Sequence, residues 1–267
     1  MASSFRATGR KIVAIGRNYA DHAKELNNKI PTEPFFFLKP TTSYLDNGGT
    51  IEIPKGVQVH FEGELLPRGG GGPCDPLPLS LLTTRADLNF MTTMILRPCT
   101  LVELGLVIGK GGRDISQADA LSHIGGDALA IDMTARNMQE KVKKAGLPWS
   151  AAKGFDTFNP VSSFVPLSAV PDAQNLRLLL LTNGKTRQDG NTSGMIFRIP
   201  KLIEHISSIM TLEDGDLILT GTPAGVGETK PGDDVYARLE VPGKEPQLLA
   251  ELKLKVARRE KGYTFAA

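Results

Sequence analysis

The sequence predicts a β-rich α+β fold. Its apolar runs are short, 28 glycines and 18 prolines punctuate them, and no regular alternation of strands with long helices is present. With 267 residues and 40% hydrophobic content the chain can bury one sizeable core, so residues 1–267 are expected to form a single domain. Taken in order, strands are expected over 11–16, 35–39, 103–108, 128–133, 177–181 and 217–220, each an apolar run bounded by turn residues. A short helix is expected over 19–26. A second, over 138–145, is built of helix formers and stops at Gly146-Leu147-Pro148. The third, over 199–208, sets Ile199, Leu202, Ile203 and Ile206 on one stripe and tolerates Pro200 in its first turn.

Composition also excludes several partners. The net charge is +2 and the basic residues are scattered, so no nucleic-acid partner is expected. The Lys143-Lys144 and Arg258-Arg259 pairs read as solvated surface. Cys74 and Cys99 are too few for a disulfide scaffold and lack the spacing of a zinc site. No apolar run reaches the ~18–20 residues that span a bilayer, so no membrane partner is expected. The first residues carry Arg6 and Arg10, two serines and no acid, faintly like a presequence. A mitochondrial or cytoplasmic location is expected.

Residues 63–101 break the pattern. The run Arg68-Gly69-Gly70-Gly71-Gly72-Pro73 leads into a Leu/Ser/Thr/Met-rich stretch with no sustained period, and both cysteines lie inside it. A structureless loop of this length is uncommon in a compact domain. The segment is expected to be an anomalous insertion with irregular loop structure, such as translated intronic sequence would produce.

Chemistry-bearing residues gather in five places. His22 and Glu25 stand at i, i+3 on the first helix, where the carboxylate can orient the imidazole as a general base. A surface pair is the plainer reading of that spacing. The run Phe37-Leu38-Lys39-Pro40 ends an apolar strand in a lysine, by itself a solvent-exposed strand end. Asp132 closes another apolar strand, with Arg136 and Gln139 at i+4 and i+7. It offers a hard oxygen ligand beside two groups that could face an anionic substrate, although Asp132 or Thr134 could equally cap the next helix. Lys153 sits among small and apolar residues, where it could meet developing negative charge. Finally, Thr220-Gly221-Thr222-Pro223-Ala224-Gly225 leaves a strand as a glycine-rich turn, fit for an anion but lacking the Gly-Lys-Ser/Thr of a phosphate loop.

Together these motifs resemble the fumarylacetoacetate hydrolase family, in particular its short single-domain acylpyruvase and oxaloacetate decarboxylase members. Gly-Arg-Asn-Tyr-x-x-His, Asp-x-Thr-x-Arg, Trp-x-x-Ala-Lys and Thr-Gly-Thr-Pro-x-Gly-Val-Gly occur in the family's order. The resemblance implies rolled mixed β-sheets with a few flanking helices, and a homodimer. It implies a Mg²⁺ or Mn²⁺ site from a Glu-x-Glu strand plus an aspartate, matched here by Glu62, Glu103 and Asp132. Removing residues 63–101 would join Glu62 to Val102 and put Glu62 and Glu103 on one strand face. Glu64 is a competing local candidate. The family's catalytic roles fall on His22 with Glu25 and on Lys153, and its substrate contacts on Arg17, Lys39, Arg136, Gln139 and Thr222. The implied substrate is a small dicarboxylic or 2,4-dioxo acid. The implied reaction is hydrolysis of an acylpyruvate C–C bond to pyruvate and a carboxylic acid, or oxaloacetate decarboxylation. An isomerase or tautomerase of a 2-hydroxy-dienoic or oxaloacetate-like acid is the alternative, and so is an inactive homologue with a disrupted metal strand.

Overall fold

The computed structural model describes residues 5–21, 30–57, 99–225, 227 and 229–266. Chain order runs α1 (Phe5–Thr8), β1 (Ile12–Gly16), β2 (Phe35–Lys39), β3 (Tyr44–Leu45), β4 (Thr50–Ile53), β5 (Cys99–Ile108) and β6 (Ile124–Thr134). It continues through α2 (Arg136–Lys144), α3 (Ser150–Lys153), β7 (Asn159–Pro160), β8 (Val165–Pro166), β9 (Arg177–Thr182) and β10 (Lys185–Asn191). Last come α4 (Ile199–Ile209), β11 (Leu217–Leu219), β12 (Asp234–Val241) and β13 (Gln247–Arg258). The β-rich α+β expectation holds.

Among the described residues the strands form three sheets. A six-stranded sheet runs β2-β1-β11-β5-β6-β8, a five-stranded sheet β10-β9-β12-β13-β4, and β3 pairs with β7. Pairing is mostly antiparallel; β1 with β11, β13 with β4 and β3 with β7 are parallel. The larger hydrophobic cluster lies between the two main sheets. It takes Val102, Leu104, Leu106, Leu129 and Ile131 from one, Leu178, Leu180, Val235, Leu239 and Leu252 from the other, and the stripe Ile199, Leu202, Ile203 and Ile206 of α4. The opposite face of the six-stranded sheet carries a smaller cluster that includes Ile12, Ala14, Ala128, Ala130, Leu217 and Leu219.

Several elements differ from the sequence expectation. Cys99, Thr100 and Leu101, placed in the irregular segment, are strand, because β6 offers them Thr134, Met133 and Asp132 as partners. β12 and β13 were not anticipated, although Val235, Ala237 and Leu239, and then Ala250, Leu252, Leu254 and Val256, alternate inward with clear period two. β10 was invisible to that reading, since Gln188 is its one fully buried residue. α2 starts at Arg136 with Ala135 as its N-cap, so neither Asp132 nor Thr134 caps it. Its last turn holds Lys141, Lys143 and Lys144, favourable beside the negative end of the helix dipole. Gly146, at φ +66°, then closes the helix, with Gly146 N–H to Lys143 O and Leu147 N–H to Val142 O. Of the short helix expected over 19–26, residues 22–26 lie outside the described residues.

Candidate active site

The site is built on the face of the six-stranded sheet that bears the smaller cluster. In the β5–β6 ladder Leu101 faces Asp132 and Glu103 faces Ala130. Directly paired residues share a face, so Glu103 and Asp132 are diagonal neighbours on the same side. Both are buried, each 2% exposed. β2 lies four strands away from β6 in this sheet, which in a flat sheet means roughly 19 Å at ~4.8 Å per strand. Nevertheless the Lys39 Nζ at the end of β2 donates to Asp132 Oδ1 at 2.5 Å and to the Phe158 carbonyl at 2.7 Å. The sheet therefore curls strongly, and its concave side encloses the charges.

Asp132 is clasped from both sides. Lys153, on α3, donates to Asp132 Oδ2 at 2.5 Å, and its ammonium lies 4.5 Å from the centre of the Phe37 ring. Glu103 Oε2 accepts the Gly221 N–H at 2.8 Å. Gly221 sits at φ +92°, and a Cβ there would approach Asn18 Cβ to 2.8 Å, so only glycine fits this turn. Burial would raise the Asp132 carboxyl, but Lys153 and Lys39 more than reverse it and hold it below the ordinary value. Glu103 goes the other way: burial, then repulsion from Asp132, push it up to about 8 against the pull of Gly221 and the two lysines. Burial lowers Lys39 despite the attraction of Asp132.

A cavity of about 40 Å³ opens beside these groups, lined by Arg17, Phe37, Leu101, Arg136, Gln139 and Thr222 among others. Glu103, Asp132, Lys153 and Trp149 complete its charged and aromatic wall. Arg136 and Gln139 share the buried face of α2, where Arg136 Nη1 donates to Gln139 Oε1. Burial lowers the Arg136 guanidinium to about 9, opposed by Glu140. Arg17 takes the left-handed backbone conformation, φ 59°, a strain that turns β1 into the site.

The structure thus brings together Glu103, Asp132, Lys153, Arg17, Arg136, Gln139 and Thr222. Lys39 departs from both expectations, since it is neither an exposed strand end nor a lining residue of the cavity. It stands behind Asp132 with its side chain fully buried, because the curl of the sheet closes over it. His22, Glu25, Glu62 and Glu64 lie outside the described residues. Sequence reasoning missed Asn18, whose Nδ2 donates to Thr220 O at 2.8 Å and to Phe197 O at 3.1 Å. Its place inside Gly-Arg-Asn-Tyr was the available signal. It also missed Gln188, which carries no local signal in a polar strand.

Comparison with known proteins matches residues 11–66 and 96–254 to the family described as fumarylacetoacetate (FAA) hydrolase C-terminal. The chain belongs to this family. The unmatched stretch, 67–95, falls within the segment singled out from sequence. Among its relatives in the FAA hydrolase family, a mitochondrial oxaloacetate decarboxylase of Dictyostelium discoideum is 48% identical over 232 residues, covering 86% of this chain and 88% of that protein. A mitochondrial oxaloacetate tautomerase of Arabidopsis thaliana is 47% identical over 254 residues, covering 95% of this chain and 93% of that one. A solved fumarylpyruvate hydrolase of Pseudomonas aeruginosa, in complex with Mn²⁺ and pyruvate, is 28% identical with a TM-score of 0.70, covering 94% and 91% of the two chains.

The donor set of this FAA hydrolase family member fits a hard divalent cation. Glu103 and Asp132 supply buried carboxylate oxygens, the ligands that Mg²⁺ and Mn²⁺ prefer. Burial and repulsion from Asp132 raise Glu103, and a cation between the two carboxylates would oppose both shifts. Among the described residues no group of three or more His, Cys, Asp or Glu side chains gathers for a metal. The third expected carboxylate, Glu62, is outside them.

Proposed function

We propose that this chain acts on oxaloacetate in mitochondria, interconverting its keto and enol forms and releasing CO₂ from it. The observation that carries the reading is the buried set Glu103, Asp132, Lys39 and Lys153, opening on a cavity walled by arginines. The names of the relatives support the substrate and the compartment. Both reactions share one demand, negative charge on the C2 oxygen. In tautomerisation a proton leaves C3 and another arrives on that oxygen. In decarboxylation the bond from C3 to the C4 carboxylate breaks, CO₂ departs with no electrons gained, and the pair remains as the enolate of pyruvate until C3 is protonated. Lys153, a buried ammonium on the cavity wall, is placed to hold that charge. Arg17 and Arg136 give the carboxylates of a dicarboxylic acid their counter-charges, with Gln139 fixing Arg136 in its plane. Asp132 keeps Lys153 aimed. Glu103, Asp132 and Glu62 would hold Mg²⁺ or Mn²⁺, and such an ion, when bound, supplies Lewis-acid polarisation of the 2-oxo group.

NMR of oxaloacetate incubated with the purified chain and Mn²⁺ or Mg²⁺ tests the proposal. Faster keto–enol exchange and pyruvate formation are expected, with Asp132→Asn falling to the rate of the metal-containing buffer. Exchange and pyruvate at buffer rates with the native chain would remove it.

A second reading, acylpyruvate hydrolysis, draws support from the fumarylpyruvate hydrolase. It needs an activated water, for which His22 held by Glu25 is the proposed base. His22→Ala should abolish hydrolysis and leave Mn²⁺ binding intact; survival of hydrolysis within a few-fold removes that assignment. The third reading, an inactive homologue, is favoured if the full chain binds neither Mg²⁺ nor Mn²⁺. The expected homodimer is carried as part of the proposal, and sedimentation of the purified chain decides it.

A further inference from the structure

β11 ends at Leu219, yet its partner β5 runs on towards Leu101. Side chains continue the ladder where the backbone leaves. The Leu104 carbonyl accepts both the N–H and the hydroxyl of Thr220, at 3.0 and 2.9 Å. The Val102 carbonyl accepts the Thr222 hydroxyl at 2.8 Å. The Val102 N–H is taken by Gln188 Oε1 at 2.9 Å, from the other sheet. Gln188 Nε2 then donates to Thr222 Oγ1 and to the Pro223 carbonyl, each at 2.8 Å. One buried amide thereby uses its acceptor and both donors to tie the glycine-rich loop to the strand that carries Glu103, in a residue 1% exposed.

The fold is shaped to bring this amide in. The β9–β10 ladder shifts register between Thr186 and Gln188. Two residues apart, these would share a face in a regular strand. The bulge at Arg187 turns Gln188 inward beside Leu180 and leaves Thr186 outside. The neighbouring loop is seated on the same strand: a Cβ at Gly190 would meet Pro223 Cβ at 2.4 Å, and one at Gly225 would meet the Arg187 carbonyl at 2.4 Å.

We propose that Gln188 is a positioning residue, which through Thr222 sets the distance of the glycine-rich loop from the Glu103 strand and so the shape of the substrate cavity. The Thr222 hydrogen is already committed to Val102, so the hydroxyl acts as a clasp, and the loop meets the substrate through what the clasp holds in place. This rests on the reading that the cavity takes a keto acid.

Four variants test it: Gln188→Met and Thr222→Val, which keep volume and lose the hydrogen bonds, Gln188→Glu, which keeps only the acceptor for Val102, and Thr222→Ser, which keeps the hydroxyl. Gln188→Met, Gln188→Glu and Thr222→Val lose two or three neutral hydrogen bonds and should each raise KM for oxaloacetate about tenfold, with kcat within about threefold. Mn²⁺ affinity should move less than about threefold. The Gln188→Met/Thr222→Val double variant should raise KM by less than the product of the two single effects, since both lose the Gln188–Thr222 bond. Thr222→Ser should keep amide exchange over residues 220–225 at the native rate. Amide hydrogen exchange supplies a readout independent of turnover: Gln188→Met and Thr222→Val should both speed exchange over residues 220–225. Unchanged exchange there, additive KM effects, or a normal KM in Gln188→Met beside a raised one in Thr222→Val would each overturn the inference. Should Gln188→Met fail to fold, Gln188→Glu decides by the same readouts. A native chain inert on oxaloacetate sinks the functional reading instead, and the exchange result still judges the clasp.

Discussion

Asp132 carries more of this site than its position in a motif implies. Two buried lysines share its carboxylate, and removing that charge breaks both ion pairs. Besides the lost turnover, Asp132→Asn should destabilise the fold by about 3–5 kcal/mol, the usual cost of breaking a buried ion pair, as urea unfolding would measure. Asp127 is the contrasting case. It stands on the opposite face of the same strand, fully buried, and neither of its oxygens has a hydrogen-bond partner among the described residues. Burial alone raises it to about 7 from an ordinary 3.8. The folded chain therefore holds a proton there that the unfolded chain has lost, and stability falls as pH rises from about 4 through 7. Asp127→Asn, which cannot ionise, should raise the melting temperature by about 5 °C at pH 8 and have little effect at pH 4. An equal shift at both pH values would show that charge is not the cause.

At the scale of the element, β5 decides how the proposed metal site would be composed. Its residue opposite Asp132 is Leu101, an apolar side chain that lines the cavity. In a chain lacking residues 63–101, Glu62 would occupy the place of Leu101 in the strand. It would then face Asp132 and stand two residues from Glu103 on the same side. That variant should bind Mn²⁺ on the order of tenfold or more tighter than the full chain, since affinity follows the number of charged oxygen ligands. Equal affinity by calorimetry would mean that the full chain already gathers its ligands another way. α2 makes a similar point about orientation: Arg136 and Gln139, at i, i+3, reach the cavity together because Ala135 rather than Asp132 caps the helix.

Over the whole molecule, one hydrophobic cluster joins both main sheets and α4, on the face of the six-stranded sheet turned away from the site. The proposal that the chain is a single domain predicts one cooperative transition. Trp149, the one tryptophan, stands at the cavity against Phe35 and Phe37, at 5.3 and 5.6 Å between ring centres. Its fluorescence should report the same denaturation midpoint as far-UV circular dichroism. Separate midpoints would show that the site region unfolds on its own. No helix among the described residues is long and apolar enough to cross a membrane.

Local patterns determined much of this protein. Short apolar runs and turn residues gave β1, β2 and the centres of β5 and β6, the apolar stripe gave α4, and the ordered motifs named Glu103, Asp132, Arg136, Gln139, Lys153 and Thr222. Each is a property of neighbours along the chain, where side-chain direction follows from the backbone period. Tertiary structure alone decided the rest. Lys39 meets Asp132 because the sheet curls, and Gln188 reaches Thr222 because a bulge in a polar strand turns it across to the other sheet. Curl and bulge are set by packing between segments far apart in sequence, so no short window of residues contains them.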